Sequence, residues 1–268
     1  MVPIESCAYK IPSVYAEGAV PHTHTNKSEI IQTFEDAGKI LIDGEVYKMI
    51  KTGLYFINGR TPHFVMPDDI TRYSHSIIIF PTSEVERICR NLNIYDQYYD
   101  LFIKDGGTFC NLSEQTVIDV DKIFLNIKTA FYSDNPMKYA VIAAELIHLM
   151  DIGLKNRTEA HAADSKLSEI LSYINDNIEN KFSMDDLSKA VNVSKYHMCR
   201  MFKDSMGITI GALILSKRLS IAKSLLLETN DTITQIAEKT SFSSSSTFTK
   251  VFVKEIGCTP TAFRAKYR

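Results

Sequence analysis

No two of the five cysteines form a CxxC pair. Cys7, Cys89, Cys110, Cys199 and Cys258 are scattered and odd in number. That argues against a disulfide framework and a thiolate zinc site, and it suits a reducing interior. No apolar run approaches the ~20 residues that a membrane span needs. Stretches such as Ile77–Phe80 and Leu213–Leu215 stop far short of it. The start, Met1-Val2-Pro3-Ile4-Glu5, lacks the basic lead and apolar core of a secretory signal. A soluble cytoplasmic protein, with no membrane partner, is expected. An excess of charge is missing as well: 30 Lys plus Arg face 32 Asp plus Glu, a net of −2.

The chain has 268 residues, 45% of them hydrophobic and 23% charged. It can bury a sizeable core in one large domain or two smaller ones, and its composition is not that of a disordered tail. The near-zero net charge conceals an asymmetry. Residues 181–268 hold 14 Lys plus Arg and 7 Asp plus Glu, a net of +7, and the first 180 hold 16 and 25, a net of −9. An acidic module joined to a basic one is implied.

The first eighty residues read as β-structure. Ile30–Phe34 is an apolar run, and Lys39–Ile42 and Glu45–Met49 flank Asp43-Gly44, a two-residue hairpin signal. Leu54–Ile57, Val65-Met66 and Ser76–Phe80 add strands separated by Gly, Asn and Pro turns. Short strands so spaced predict a small antiparallel barrel or sandwich. After Pro81 the pattern turns helical over Ser83–Leu92 and Ile94–Phe102. Ser113 can cap a helix with Val120, Ile123, Phe124, Ile127, Ala130 and Phe131 at i, i+3, i+4 spacing. Another helix follows Pro136, rich in Val141, Ile142, Leu146, Leu149 and Met150. These two amphipathic helices can pack on the barrel or pair with a second copy, and homodimerisation is expected through them. A polar, weakly periodic stretch then leads into an all-helical region from Ser165.

Residues 183–268 repeat. Leu187–Ser194 aligns with Ile236–Ser243 at an offset of 49, and Arg200, Phe202, Gly207 and Thr209 align with Lys250, Phe252, Gly257 and Thr259 at 50. Each copy opens with a capping box, Ser183-x-x-Asp186 and Thr232-x-x-Gln235. A short helix, a tight turn and a second helix opening with serine follow: a helix-turn-helix, twice. The second helix of such a unit enters the major groove and offers its N-terminal residues to base edges. In copy one those are Lys195, Tyr196, Cys199, Arg200 and Lys203, with Met198, Met201 and Phe202 inward. In copy two they are Ser244, Ser245, Ser246, Thr247 and Lys250, with Phe248, Val251 and Phe252 inward. Arg200 suits bidentate contact to guanine, whereas Ser and Thr read bases less strictly or bind phosphate. The helix carrying Arg218, Leu219, Ala222, Leu225 and Leu226 would hold the two readers apart.

Ser194–Lys203, Gly207-x-Thr209, Arg218-Leu219-x-x-Ala222-x-x-Leu225-Leu226 and Ile233-x-x-Ile236-Ala237 together resemble the AraC family signature. The resemblance continues through Phe242, Phe248, Phe252, Gly257-x-Thr259-Pro260 and Phe263-Arg264. It covers about the last hundred residues. Ser241 stands where the family usually has Gly, Ile210 for a common Pro, Leu213 for a common Tyr and Lys250 for a common Arg. Pro21-His22-Thr23-His24, Glu29 and Thr61-Pro62-His63 resemble the cupin pattern. The resemblances imply an α+β chain: a cupin-like sensing and dimerisation domain (1–153), a linker (154–164) and a DNA-binding domain with two helix-turn-helix motifs (165–268). They further imply a non-enzymatic transcription regulator whose partners are double-stranded DNA, a small-molecule effector such as a sugar or related metabolite, and RNA polymerase. His22, His24, Glu29 and His63 would contact the effector, with Tyr9, Tyr55, Arg60 and His75 as further pocket candidates. No cofactor and no metal is assigned. The alternatives are a cupin enzyme with an appended DNA-binding domain, whose three imidazoles and one carboxylate hold Zn, Fe or Mn, and a regulator without any effector, in which the barrel only dimerises.

Overall fold

The computed structural model describes residues 4–12, 27–36, 38–43, 45–59, 61–68, 73–104, 107–158 and 165–267. The chain divides into two compact units whose described parts are residues 4–158 and 165–267.

The first unit holds eight strands in two antiparallel sheets. One has the order β1 (Ser6–Pro12), β7 (Ser74–Pro81), β2 (Lys27–Thr33), β5 (Gly53–Ile57), β8 (Gly107–Asn111). The other has the order β4 (Glu45–Lys48), β3 (Gly38–Ile42), β6 (His63–Pro67). The predicted hairpin at Asp43 joins β3 to β4, with Asp43 at φ +50, the left-handed geometry such a turn requires.

β2 shows no polar alternation because both of its faces are covered. Ile31 pairs with Tyr55 and Ile77, and these side chains join Ile40, Ile42, Tyr47, Val65 and Phe109 in one core between the sheets. Ile30 pairs with Phe56 and Ile78, which belong to a second core beneath the helices. The covered faces of β2 carry polar residues as well, with Ser28, Glu29, Gln32 and Thr33 all buried. That second core is closed by α1 (Thr82–Asn91), α2 (Tyr95–Phe102), α3 (Glu114–Tyr132) and α4 (Lys138–Lys155). Ser113 caps α3, its hydroxyl accepting from the Thr116 amide. Gly153 lets α4 approach closely, since a Cβ there would come within 2.5 Å of the Phe56 ring. Beyond α4, the Thr158 amide donates to the Phe109 carbonyl.

The second unit is all helix: α5 (Ser165–Asn177), α6 (Met184–Ala190), α7 (Lys195–Met206), α8 (Ile210–Glu228), α9 (Ile233–Lys239), α10 (Ser245–Ile256) and α11 (Pro260–Tyr267). Both predicted capping boxes are present, Ser183 with Asp186 and Thr232 with Gln235. α7 and α10 both end on a left-handed glycine, Gly207 at φ +67 and Gly257 at φ +83. The architecture is the α+β arrangement expected, with two antiparallel sheets and helices followed by two helix-turn-helix units.

Candidate nucleic-acid interface and sensor site

Each candidate reading helix, α7 and α10, is seated by its apolar side. Met198 and Phe202 of α7 are buried, as are Phe248 and Phe252 of α10, where the rings of Phe248, Phe252 and Phe263 form a chain of edge contacts. Met201 and Val251, also expected inward, are half-buried. Seating these residues turns the opposite faces outward. Lys195, Tyr196, Arg200 and Lys203 are exposed and Cys199 is half-buried. At 78%, Tyr196 is the most exposed large apolar side chain among the described residues. In copy two, Ser244, Ser246, Thr247 and Lys250 are exposed and Ser245 is half-buried.

The serines that open these helices have a structural duty as well. Ser194 Oγ accepts from the His197 amide at 3.4 Å, and Ser244 Oγ accepts from the Thr247 amide at 3.1 Å. Ser244 is therefore the N-cap of α10, which ties up part of its hydrogen-bonding capacity. Sequence reasoning also missed two acidic partners of the first reader. Asp185 on α6 lies 3.2 Å from Lys195 Nζ, and Asp204 lies 3.6 Å from Arg200 Nε, one helical turn further along α7. All four side chains are largely exposed, so the pairs are weak and exchangeable with phosphate or a base edge. Among the described residues no such ion pair involves Lys250, and α10 also carries the exposed Lys254, 3.5 Å from Glu255.

The turns of the two copies match at backbone level. Asn192 and Ser241, 49 residues apart, both take left-handed φ, +52 and +58. Asn tolerates this conformation; Ser is strained there, and Gly would not be.

In the first unit, strand register sends Glu29 of β2 to the same face as Ile31, and His63 of β6 pairs with Ile42 on the facing sheet. The two meet in the interior, with His63 Nε2 3.5 Å from Glu29 Oε2. His63 Nδ1 donates to the Thr61 carbonyl at 2.9 Å, which fixes the ring. His75 is buried and stacked on Tyr73, with centroids 5.1 Å apart. Burial lowers its pKa, and the charge of Glu29 opposes that shift. Tyr55 is fully buried, its hydroxyl donating to the Lys48 carbonyl, and burial raises its pKa. Tyr9 is half-buried against the helical core instead of the interior between the sheets. His22, His24 and Arg60 lie outside the described residues.

For a metal, Glu29 and His63 fit as two of four ligands, and a ring nitrogen anchored on a carbonyl is the usual support for a ligating imidazole. Among the described residues no group of three or more His, Cys, Asp or Glu is placed to hold an ion. Among them, too, no helix is long and apolar enough to cross a membrane.

Comparison with known proteins agrees with the repeat. A family model described as a helix-turn-helix domain matches residues 187–266. The chain is 32% identical over 109 residues to the HTH-type transcriptional activator AarP of Providencia stuartii, covering 41% of this chain and 81% of AarP. It is 26% identical over 161 residues to the HTH-type transcriptional activator RhaR of Mannheimia succiniciproducens, covering 58% of each. A solved Chromobacterium violaceum regulator with an AraC-type DNA-binding domain is 34% identical, covering 38% of this chain and 91% of that one, with a TM-score of 0.36. Of two longer curated relatives, this chain spans less than two thirds, 36% and 58% of their lengths. With both helix-turn-helix units matched and a relative covered over most of its length at this identity, the chain belongs to the AraC family of DNA-binding transcription regulators.

Proposed function

We propose that this chain binds promoter DNA through α7 and α10 in successive major grooves, under control of a small-molecule effector held between the two sheets of the first unit. The observation that carries the reading is the repeated one: two serine-capped helices, one seated on buried Met198 and Phe202 and the other on Phe248 and Phe252, each with an exposed polar face. In this reading Arg200 contacts guanine, Lys195 and Lys203 contact phosphate, Tyr196 and Cys199 line the groove, and Ser245, Ser246, Thr247 and Lys250 serve the second half-site with Ser244 at the cap. Glu29 and His63 are the effector's polar contacts, and a sugar or related metabolite suits a buried carboxylate beside an imidazole. The effector acts only by binding one arrangement of the protein more tightly than another. RNA polymerase is the further partner, and no catalytic step is involved.

The chain acts as a homodimer. Support comes from α3, where Ile118, Leu125 and Tyr132 are exposed at seven-residue intervals, and from Met137, Tyr139 and Val141 at the start of α4. An exposed heptad stripe of this kind is what a second helix covers.

The test is selection of bound fragments from genomic DNA by the full chain, with and without sugars and small metabolites. Enrichment of a defined bipartite site is expected, altered by one of the ligands. Recovery of unrelated fragments would overturn DNA recognition, and indifference to every ligand would overturn effector control. The pairing of Glu29 with His63 favours one second reading, a metal-dependent cupin enzyme with an appended DNA-binding domain. That reading requires stoichiometric metal in the purified protein, lost on His63→Ala.

A further inference from the structure

The two helix-turn-helix units are joined by more than the α8 helix. Just past the end of α5, three successive backbone carbonyls are taken up by residues belonging to α8 and to the turn of the second unit. Arg218 Nε donates to the Ile178 carbonyl at 3.2 Å, and its Nη2 to the Asn180 carbonyl at 2.9 Å. The Glu179 carbonyl between them accepts from Ser241 Oγ at 2.5 Å. The remaining Arg218 nitrogen, Nη1, reaches the Ser241 carbonyl at 3.5 Å, which closes the set. The guanidinium lies 5.9 Å from the Phe182 ring, itself packed edge-on against Tyr173 of α5.

Carbonyls just past a helix end have no intrahelical partners, and here their capture ties the end of α5 to the turn that aims α10. A planar guanidinium with donors in fixed directions is suited to hold two chain segments at a set angle. Ser241 pays for its place with a strained φ of +58, and glycine would sit there without strain. What serine adds over glycine is the hydroxyl, and that hydroxyl makes the bond to Glu179.

We infer that Arg218 and Ser241 are positioning residues that fix the separation and relative rotation of the two reading helices, and so select the spacing between the two half-sites on DNA. The inference rests on the proposal that α7 and α10 both read DNA. One added base pair moves a half-site by roughly 3.4 Å and about 35° around the duplex, which a rigid pair of readers cannot follow.

The experiment titrates full-length protein against a labelled duplex carrying a selected site, and against versions with one base pair inserted or removed between the two contacted segments. Wild type is expected to lose about tenfold or more in affinity on either altered duplex. Ser241→Gly removes the hydroxyl while relieving the backbone, so it folds and binds the unaltered duplex about as well. Its penalty on the altered duplexes should shrink to about threefold or less, and Arg218→Lys should behave the same way. Arg264→Lys is the comparison. Arg264 clamps the Leu226 and Asp231 carbonyls, which lie either side of the α8–α9 turn and do not involve the end of α5, and its loss should leave the spacing penalty intact.

If Ser241→Gly and Arg218→Lys keep the full wild-type penalty, the inference is overturned. It is equally overturned if Arg264→Lys flattens the penalty too, since general loosening would then be the cause. Failure of wild type to bind any selected duplex would instead overturn the reading on which it rests.

Discussion

His63 Nε2 and Glu29 Oε2 face each other at 3.5 Å, an imidazole from one sheet against a carboxylate from the other, both almost wholly buried. His63 Nδ1 also donates to the Thr61 carbonyl, so the ring is held with Nε2 toward the carboxylate. Breaking a buried pair of this kind is costly, so His63→Ala should lower stability by about 3–5 kcal/mol. Glu29→Gln combined with His63→Ala should cost less than the sum of the single changes. Denaturant unfolding of the four proteins measures this, and strict additivity would show that the two groups do not interact.

On the reading face, Arg200→Ala should cost about 1–3 kcal/mol in DNA affinity and relax base choice at one position. Lys203→Ala should weaken binding evenly across sequences and reduce the salt slope by about one. Titrations of site variants at several salt concentrations separate the two effects. Equal losses on every variant for Arg200→Ala would assign it to phosphate.

Cysteine chemistry offers an independent check on which face meets DNA. Burial pushes the thiols of Cys7 and Cys89 up to about 11 and that of Cys110 to about 12. These three should resist alkylation in the folded protein, leaving the half-buried Cys199 and Cys258 to react. Bound duplex should protect Cys199 on α7. Mass mapping of the modified sites decides it, and unchanged labelling of Cys199 would place α7 away from the groove.

The two capping boxes differ in what acid does to them. Asp186 accepts from the Ser183 amide at 2.9 Å and from its hydroxyl at 2.7 Å, and these bonds hold its pKa below the usual 3.8. A depressed acid stabilises the fold above its unfolded pKa, and the contribution is lost as pH falls through the folded value. The difference between wild type and Asp186→Asn should thus narrow below pH 3.8. Gln235, which holds the same place in the second unit, does not titrate. At neutral pH, Ser183→Ala and Thr232→Ala should each cost about 1 kcal/mol in thermal unfolding.

Local signals predicted local structure well. The 49–50 residue repeat located α7 and α10, and Ser113, Ser183 and Thr232 were recognisable as caps because capping is set within three residues of sequence. The strands at Ser6–Pro12 and Gly107–Asn111 were not recognised. Both run along sheet edges, and β8 meets β5 only after two intervening helices, so nothing near either one in sequence signals its partner. Glu29 and His63 were singled out by residue type, yet their meeting depends on register in two different sheets. The bonds from Arg218 and Ser241 could not be read at all, because their acceptors are backbone carbonyls and carry no side-chain signature.

The double coverage of β2 has a mechanical consequence. Ile31 belongs to the interior between the sheets and Ile30, its immediate neighbour, to the core beneath the helices. One strand is thus a party wall between two rooms, and neither can swell without pushing on the other. Anything that enters the space beside Glu29 and displaces Ile31 must shift Ile30 as well, together with its strand neighbours Phe56 and Ile78. The helices of the outer face are thereby wired to the chamber through a partition one peptide thick.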